Sequence, residues 1–286
     1  MRAVVAQRAA DAAIWTASAL DLAADGAVVL SDSNRLVVLL TPCEVVARVA
    51  IAPPAYRSRF ATEVEVARRL AESGSPVAGL DPRVEPRVFE RDGFAITMWV
   101  HFETVPRVLP PAEYAQALVR LHAGLRQIDV TAPHFMTRVA ATRQDAASFD
   151  VTPDLGRTDR ALLVDTLGAL RRSIVDRRAA EQLLHGEPHP WNVLDTEDGP
   201  LFMDFENATH GPVEYDLAWV PDGVSERHPG ADLDLVDECR GVVLAIIATH
   251  RWSRGDEHPS GRRSGVAFLD ALREGPPWPA IDTVHW

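Results

Sequence analysis

The chain is short of cysteine, of long apolar runs and of positive charge. Its only two cysteines, Cys43 and Cys239, form no CxxC and no His/Cys spacing suited to zinc. Neither a disulfide framework nor a structural metal is expected, and a reducing compartment, the cytoplasm, is the default. No run of 18 apolar residues occurs, and the opening "MRAVVAQRAADAAIW" carries acidic Asp11 and no long apolar core, so the reading includes no membrane span and no signal peptide. Basic residues number 29 against 41 acidic ones, a net charge of −12. Such a field repels phosphate backbones, which makes nucleic acid a poor partner, and it attracts cationic small molecules. The chain also lacks GxSxG, GxGxxG and GxxxxGK[ST]. Those absences remove the nucleophile elbow of many hydrolases and the phosphate cradles of Rossmann and P-loop folds.

What is present is ample apolar material, 47% of 286 residues, enough for one large domain or two lobes. "GAVVLSDSNRLVVLLTPCEVVARVAIA" offers β-rich runs near 27 to 30, 35 to 40 and 44 to 51, separated by turn formers. "VEPRVFERDGFAITMWV" adds a hairpin with Asp92-Gly93 in its turn. Between them "FATEVEVARRLAESGSPV" places Val64, Ala67, Leu70 and Ala71 on one helical face and stops at Gly74, with Pro76 beyond. After about residue 105 the pattern turns helical: Pro110-Pro111 open a segment in which Tyr114, Leu118, Leu121 and Leu125 repeat at helical spacing. Further helices are expected over about 158 to 182 and 232 to 252. Between those two, Gly186, Pro188 and Pro190 forbid regular structure, and "WNVLDTEDGPLFMDF" reads as two short strands around an Asp198-Gly199 turn.

That last stretch holds the chemistry. His185, Glu187 and His189 alternate as metal ligands on a strand would, which keeps a metal-dependent hydrolase as the weaker alternative, although two prolines spoil the strand. Phosphoryl transfer asks for a carboxylate to orient the acceptor hydroxyl, then an Asn and an Asp to hold Mg²⁺ against the nucleotide phosphates. Glu187, Asn192 and Asp204 supply these in order, and the hairpin between the last two returns both to one end, where they can face one ion.

"HGEPHPWN" followed by "FMDFENATHGPVEYDLA" resembles the aminoglycoside phosphotransferase and choline kinase-like group, whose pattern is HGDxHxxN and then IDFxxxxxGxPxYDLA. The resemblance extends, in order, over roughly residues 25 to 220. "SDSNRLVVLLTPCEVVARV" is similar to the nucleotide-covering loop and following strands, "ATEVEVARRLAESGSPVA" to the inserted helix, "ITMWVHFE" to the hinge and "YAQALVRLHAGL" to the first large-lobe helix. It implies an α+β, two-lobed protein-kinase-like fold. A small antiparallel-sheet lobe with one inserted helix would span about 1 to 100, and a large, mainly helical catalytic and acceptor-binding lobe 101 to 286.

Carried over by position, Asn192 and Asp204 would hold Mg²⁺, and Glu187 would be the base. Arg48 would be the phosphate cation paired with Glu63, and Ser33 and Asn34 would cover the nucleotide. Met98, Trp99, Val100 and His101 would frame the purine of ATP or GTP, and His185 and Asp216 would support the catalytic loop. The implied acceptor is a small-molecule hydroxyl, with Trp191, Glu206, Asp234 and Trp252 as candidate pocket residues; His250 and Arg251 are a lesser lean. The departures are Glu187 for Asp, Arg48 for Lys, Trp191 for Gly and a nucleotide loop without glycines. They keep open the alternative of a pseudokinase-like binding protein with little transfer. The plainer expectations are a packed helix residue at His122, a structural pair of Arg48 with Glu63, and a solvated helix face in "DLDLVDE".

Overall fold

A computed structural model describes residues 3–32, 35–51 and 54–285. In chain order its elements are α1 (Ala3–Ser18), β1 (Ala24–Asp32), β2 (Leu36–Pro42), β3 (Val45–Ile51), α2 (Pro54–Glu72), β4 (Phe89–Arg91), β5 (Phe94–Val100), α3 (Pro111–Leu125), α4 (Phe135–Ala147), α5 (Arg157–Arg177), β6 (Gln182–Leu184), β7 (Val193–Thr196), β8 (Gly199–Phe202), β9 (Thr209–Gly211), α6 (Val213–Leu217), α7 (Asp222–Ser225), α8 (Leu233–Arg251) and α9 (Gly261–Glu274). They divide between two compact units. One comprises Met1–Leu109, Ala123–Thr131 and Trp191–Ala208, the other Pro110–His122, Ala132–Pro190 and Thr209–Trp286. The fold is α+β.

The first unit is built on an antiparallel sheet of order β1-β2-β3-β5-β4. Asp92 and Gly93, at φ +53° and +84°, make the two-residue turn that joins β4 to β5, a conformation Asp-Gly tolerates and most pairs do not. Strand alternation sends Val45, Ala47 and Val49 of β3 and Leu36, Val38 and Leu40 of β2 to one face, where they are buried together with alanines of α1. α1 is an addition to the pattern read from sequence. Its buried residues are Ala9, Ala10, Ala12, Ala13, Thr16 and Ala17, and alanine, with the highest helix propensity, lets the helix lie close on the sheet while giving little amphipathic contrast. Val46 and Arg48 point to the opposite face, the side on which α2 contributes Glu63. The β7–β8 hairpin, also in this unit, pairs Val193 with Phe202 and Thr196 with Gly199, so that Glu197 and Asp198 form its tip.

The second unit is a helical core in which α4, α5, α8 and α9 bury Val139, Leu163, Leu167, Val242, Val243 and Leu269. Asp232 caps α8 by accepting the amides of Asp234 and Leu235 at 3.1 and 3.2 Å, so part of the acidic run starts a helix rather than merely coating it. α5 stops at Arg177 because Arg178 turns left-handed at φ +51°, short of the helix end expected near residue 182, and Gln182 instead begins β6. α4 and α9 also go beyond the sequence reading. In α4 the buried positions include Thr142 and Ala146, which weakens the apolar stripe; α9 follows directly on the breaker-rich "GDEHPSG".

Candidate functional site

In the first unit the charged residues gather around Asp204. Arg48, on the face of β3 away from α1, donates to the fully buried Glu63 carboxylate of α2 and, at 3.0 Å, to Oδ2 of Asp204. Arg35, just before β2, donates to Oδ1 of Asp204 at 2.9 Å, to Glu206 at 2.6 Å and to Glu63 at 3.3 Å. The guanidinium groups lie over aromatic rings, Arg35 over Phe60 and Arg48 over Trp99, each 5.5 Å from the centroid. Every one of the 29 basic residues in the chain is arginine. That suits a cluster in which one planar fork must reach two or three carboxylates at once, as the point charge of a lysine does less well.

Burial pushes the Glu63 and Glu206 carboxyls up, against the pull of the two arginines. For Arg35 burial works against the charge, but Glu63, Asp204 and Glu206 outweigh it, and the pKa is raised. Asp204 sits at φ +71°, a left-handed backbone uncommon outside glycine and the kind of local strain that collects at functional sites. Asn192 is buried, and its carbonyl accepts from the Met203 amide at 3.0 Å. Asn192 and Asp204 therefore flank the open end of the hairpin, as its length predicts.

In the second unit the loop from His185 to His189 is held from several sides. The buried Asp216 of α6 accepts the amides of His185 at 2.9 Å and Gly186 at 2.8 Å, and the ring of His122 from α3 lies 3.0 Å from its Oδ2. Gly186 has φ +92°, which a side chain would resist. His185, fully buried, accepts from the Glu187 amide through Nδ1 at 3.3 Å. Tyr114 donates its hydroxyl to the Pro188 carbonyl. The Glu187 carboxylate is taken by Arg138 of α4 at 2.5 Å, with the guanidinium 5.6 Å from the Trp219 ring centroid. Burial works against the Arg138 charge, but the neighbouring Glu187 and Tyr215 outweigh it and the pKa is raised. Burial likewise pushes the Tyr215 hydroxyl up to about 12.

Other residues singled out from sequence are placed less close together. Ser33 and Asn34 lie outside the described residues. Met98 turns its side chain into the core against α1, and its carbonyl accepts from Asp81; the Val100 amide donates to the Gly79 carbonyl. Those two backbone groups are thus committed within the unit. Trp99 is buried, its indole donating to Thr97, while His101 is half-buried in the stretch after β5. Trp191 is 62% exposed, and Glu206 joins the ionic cluster through Arg35. Asp234 and Trp252 stand at opposite ends of α8, about 27 Å apart along its axis, and so cannot line one small pocket side by side. Trp252 is instead covered by Arg262, 4.1 Å from the ring centroid. His122 is buried as expected, but through its bond to Asp216 it does more than pack. Sequence reasoning missed Arg35, Tyr114 and Arg138. For Tyr114 the only signal was a polar tip on an otherwise apolar helix face, and Arg35 and Arg138 gave none at short range.

The fold is that of the protein-kinase-like phosphotransferases. The chain belongs to the phosphotransferase enzyme family, whose model matches residues 27–238. Among solved structures it is similar to the amicoumacin kinase hAmiN in complex with AMP-PNP, Ca²⁺ and Ami, at TM-score 0.68 and 13% identity over 98% of each chain. The GDP complex of wild-type aminoglycoside 2'-phosphotransferase-IIIa matches at TM-score 0.63 and 15% identity, over 91% of this chain and 96% of that one. The choline kinase LicA from Streptococcus pneumoniae matches at TM-score 0.66 and 12% identity, over 91% and 97%. No curated relative matches the sequence. Among the described residues no helix is long and apolar enough to cross a membrane, and no group of three or more His, Cys, Asp or Glu is arranged to hold a metal.

Proposed function

We propose that the chain transfers the γ-phosphate of ATP or GTP, with Mg²⁺, to a hydroxyl of a small polar molecule, such as an aminoglycoside-like antibiotic or a related metabolite. A cationic acceptor suits the net charge of −12. The observation that carries the reading is the Asp204 carboxylate, at the open end of the hairpin with Asn192 and gripped by Arg48, itself paired with Glu63. A carboxylate and an amide at one hairpin end are hard oxygen donors of the kind Mg²⁺ prefers, so the donor set fits the ion; when bound, it would neutralise charge on the nucleotide phosphates. Arg48 supplies a fixed cation for the phosphates, and Glu63 holds that cation in place. Glu187 accepts the proton of the acceptor hydroxyl, and His185, Asp216 and Tyr114 fix the backbone that carries it. With the Met98 carbonyl and the Val100 amide committed to Asp81 and Gly79, purine hydrogen bonds fall to the remaining backbone groups around Val100 and His101.

The extra methylene of Glu187 relative to Asp adds about 1 Å of reach, a displacement that can cost about 10²-fold if nothing accommodates it. Arg138 holds the carboxylate at that longer reach. The same contact favours the second reading, a pseudokinase-like protein that binds nucleotide or ligand with little transfer, because it occupies the base. A rise in melting temperature with Mg²⁺ and nucleotide, followed by phosphorylated product in a mass-spectrometric screen of acceptors, supports the enzyme. Nucleotide binding with no product across many acceptors selects the binding protein, and zinc in the purified chain with no nucleotide effect sinks both.

A further inference from the structure

The cluster around Asp204 joins two guanidinium groups to three carboxyl groups, one negative charge in excess when all three are ionised. Its members are mostly shut off from water: the side chains of Arg35, Arg48 and Glu63 are 9%, 10% and 0% exposed, and those of Asp204 and Glu206 23% and 19%. Both Asp204 oxygens are engaged, Oδ1 by Arg35 and Oδ2 by Arg48. The Arg48 contact belongs to the arrangement already described. Arg35 is additional, and in sequence it directly follows the glycine-free stretch "SDSN".

We propose that Arg35 is a positioning residue that makes cation binding at Asp204 conditional on nucleotide. The inference rests on the phosphotransfer reading. A divalent cation arriving alone would have to displace Arg35 from Oδ1 and would turn one excess negative charge into one excess positive charge among buried groups, where such an excess is costly. A nucleotide brings its own negative charge, which offsets the cation and gives the guanidinium a new partner. Arg35 is able to leave Asp204 without being stranded, because Glu206 at 2.6 Å and Glu63 at 3.3 Å stay beside it. That shared bonding separates it from Arg48, whose contacts are Glu63 and Asp204 themselves. Arg35 thus acts as an internal counter-cation that holds the carboxylate until the nucleotide–metal pair arrives.

The test is Mn²⁺ binding by the full chain, read from the electron paramagnetic resonance signal of the free ion, with and without a non-hydrolysable ATP analogue. The unsubstituted protein is expected to bind Mn²⁺ weakly alone and at least about tenfold more tightly with nucleotide. Arg35→Gln should bind Mn²⁺ alone about tenfold more tightly than the parent and lose most of the nucleotide dependence. Arg35→Lys, which keeps the charge but not the fork, should fall between, and it decides the matter if the glutamine variant fails to fold. Asp204→Asn is the control that the signal comes from this carboxylate. Unchanged Mn²⁺ affinity in both Arg35 variants overturns the proposal. If the parent binds no nucleotide at all, the phosphotransfer reading falls, and the Mn²⁺-alone comparison still decides whether Arg35 competes with a cation for Asp204.

Discussion

Asp204 is half-buried in one unit and Asp216 fully buried in the other, and they are satisfied by different kinds of partner. Asp204 is held by the side chains of Arg35 and Arg48, while Asp216 is held by the amides of His185 and Gly186 and the ring of His122. Side-chain ion pairs exchange partners when charge is added nearby. Backbone amides cannot move without remaking the loop they belong to. The contrast separates a carboxylate set up to change partners from one set up to keep a loop still.

The largest expected effect comes from Asp204→Asn. Transfer should fall by about 10³-fold, the upper range for one electrostatic contact to the transition state, while the melting temperature stays close to that of the parent. Arg35 and Arg48 would still have Glu63 and Glu206, two cations facing two carboxylates. Asp216→Ala should do the reverse and lower stability by about 3–5 kcal/mol in denaturant unfolding, because it leaves two buried amides and His122 without their acceptor. A similar loss of stability in both variants would erase the distinction.

Next in size is Glu187→Gln, for which steady-state rates should drop about 10²-fold or more if this carboxylate is the base. An unchanged rate removes it from that role. Arg138→Gln should cost about tenfold in the Glu187 background and nearly nothing in Glu187→Asp, since the shorter side chain stops about 1 Å short of the guanidinium. Additive losses in that double-mutant cycle would show that Arg138 serves stability and does not position the base.

The smallest effect is an alkaline one. Burial raises the Cys239 thiol well above its usual range. The folded chain therefore keeps the proton while the unfolded chain gives it up, so stability is complete below about pH 8.5 and declines as pH rises beyond it. Cys239→Ala should show a shallower fall in melting temperature between about pH 8 and 10. In the native protein a thiol reagent should label the half-buried Cys43 and leave Cys239 unmodified.

Much of the first unit was legible because its signals are local. Alternation marked β2 and β3 and Asp92-Gly93 marked a turn, and in the second unit Gly186, Pro188 and Pro190 marked the irregular loop in the same local way. α1 and α4 were not, because alanine and threonine in buried helix positions carry little contrast between inside and outside. The spacing from Glu187 to Asp204 named the candidate chemistry for the same local reason, since a hairpin of fixed length has only one way to return.

By itself, then, the sequence determined the strands of the first unit, the hairpin and the order of carboxylate, amide and carboxylate, all of which follow from neighbours a few residues apart. Tertiary structure alone decided what each of those groups would face. Arg35 reaches Asp204 across 169 residues, Tyr114 reaches Pro188 across 74, and Arg138 reaches Glu187 across 49. Nothing in a local pattern encodes those separations. They exist because burying the apolar faces of the sheet and helices brings distant stretches of chain together, and the charges that come with them must then find one another.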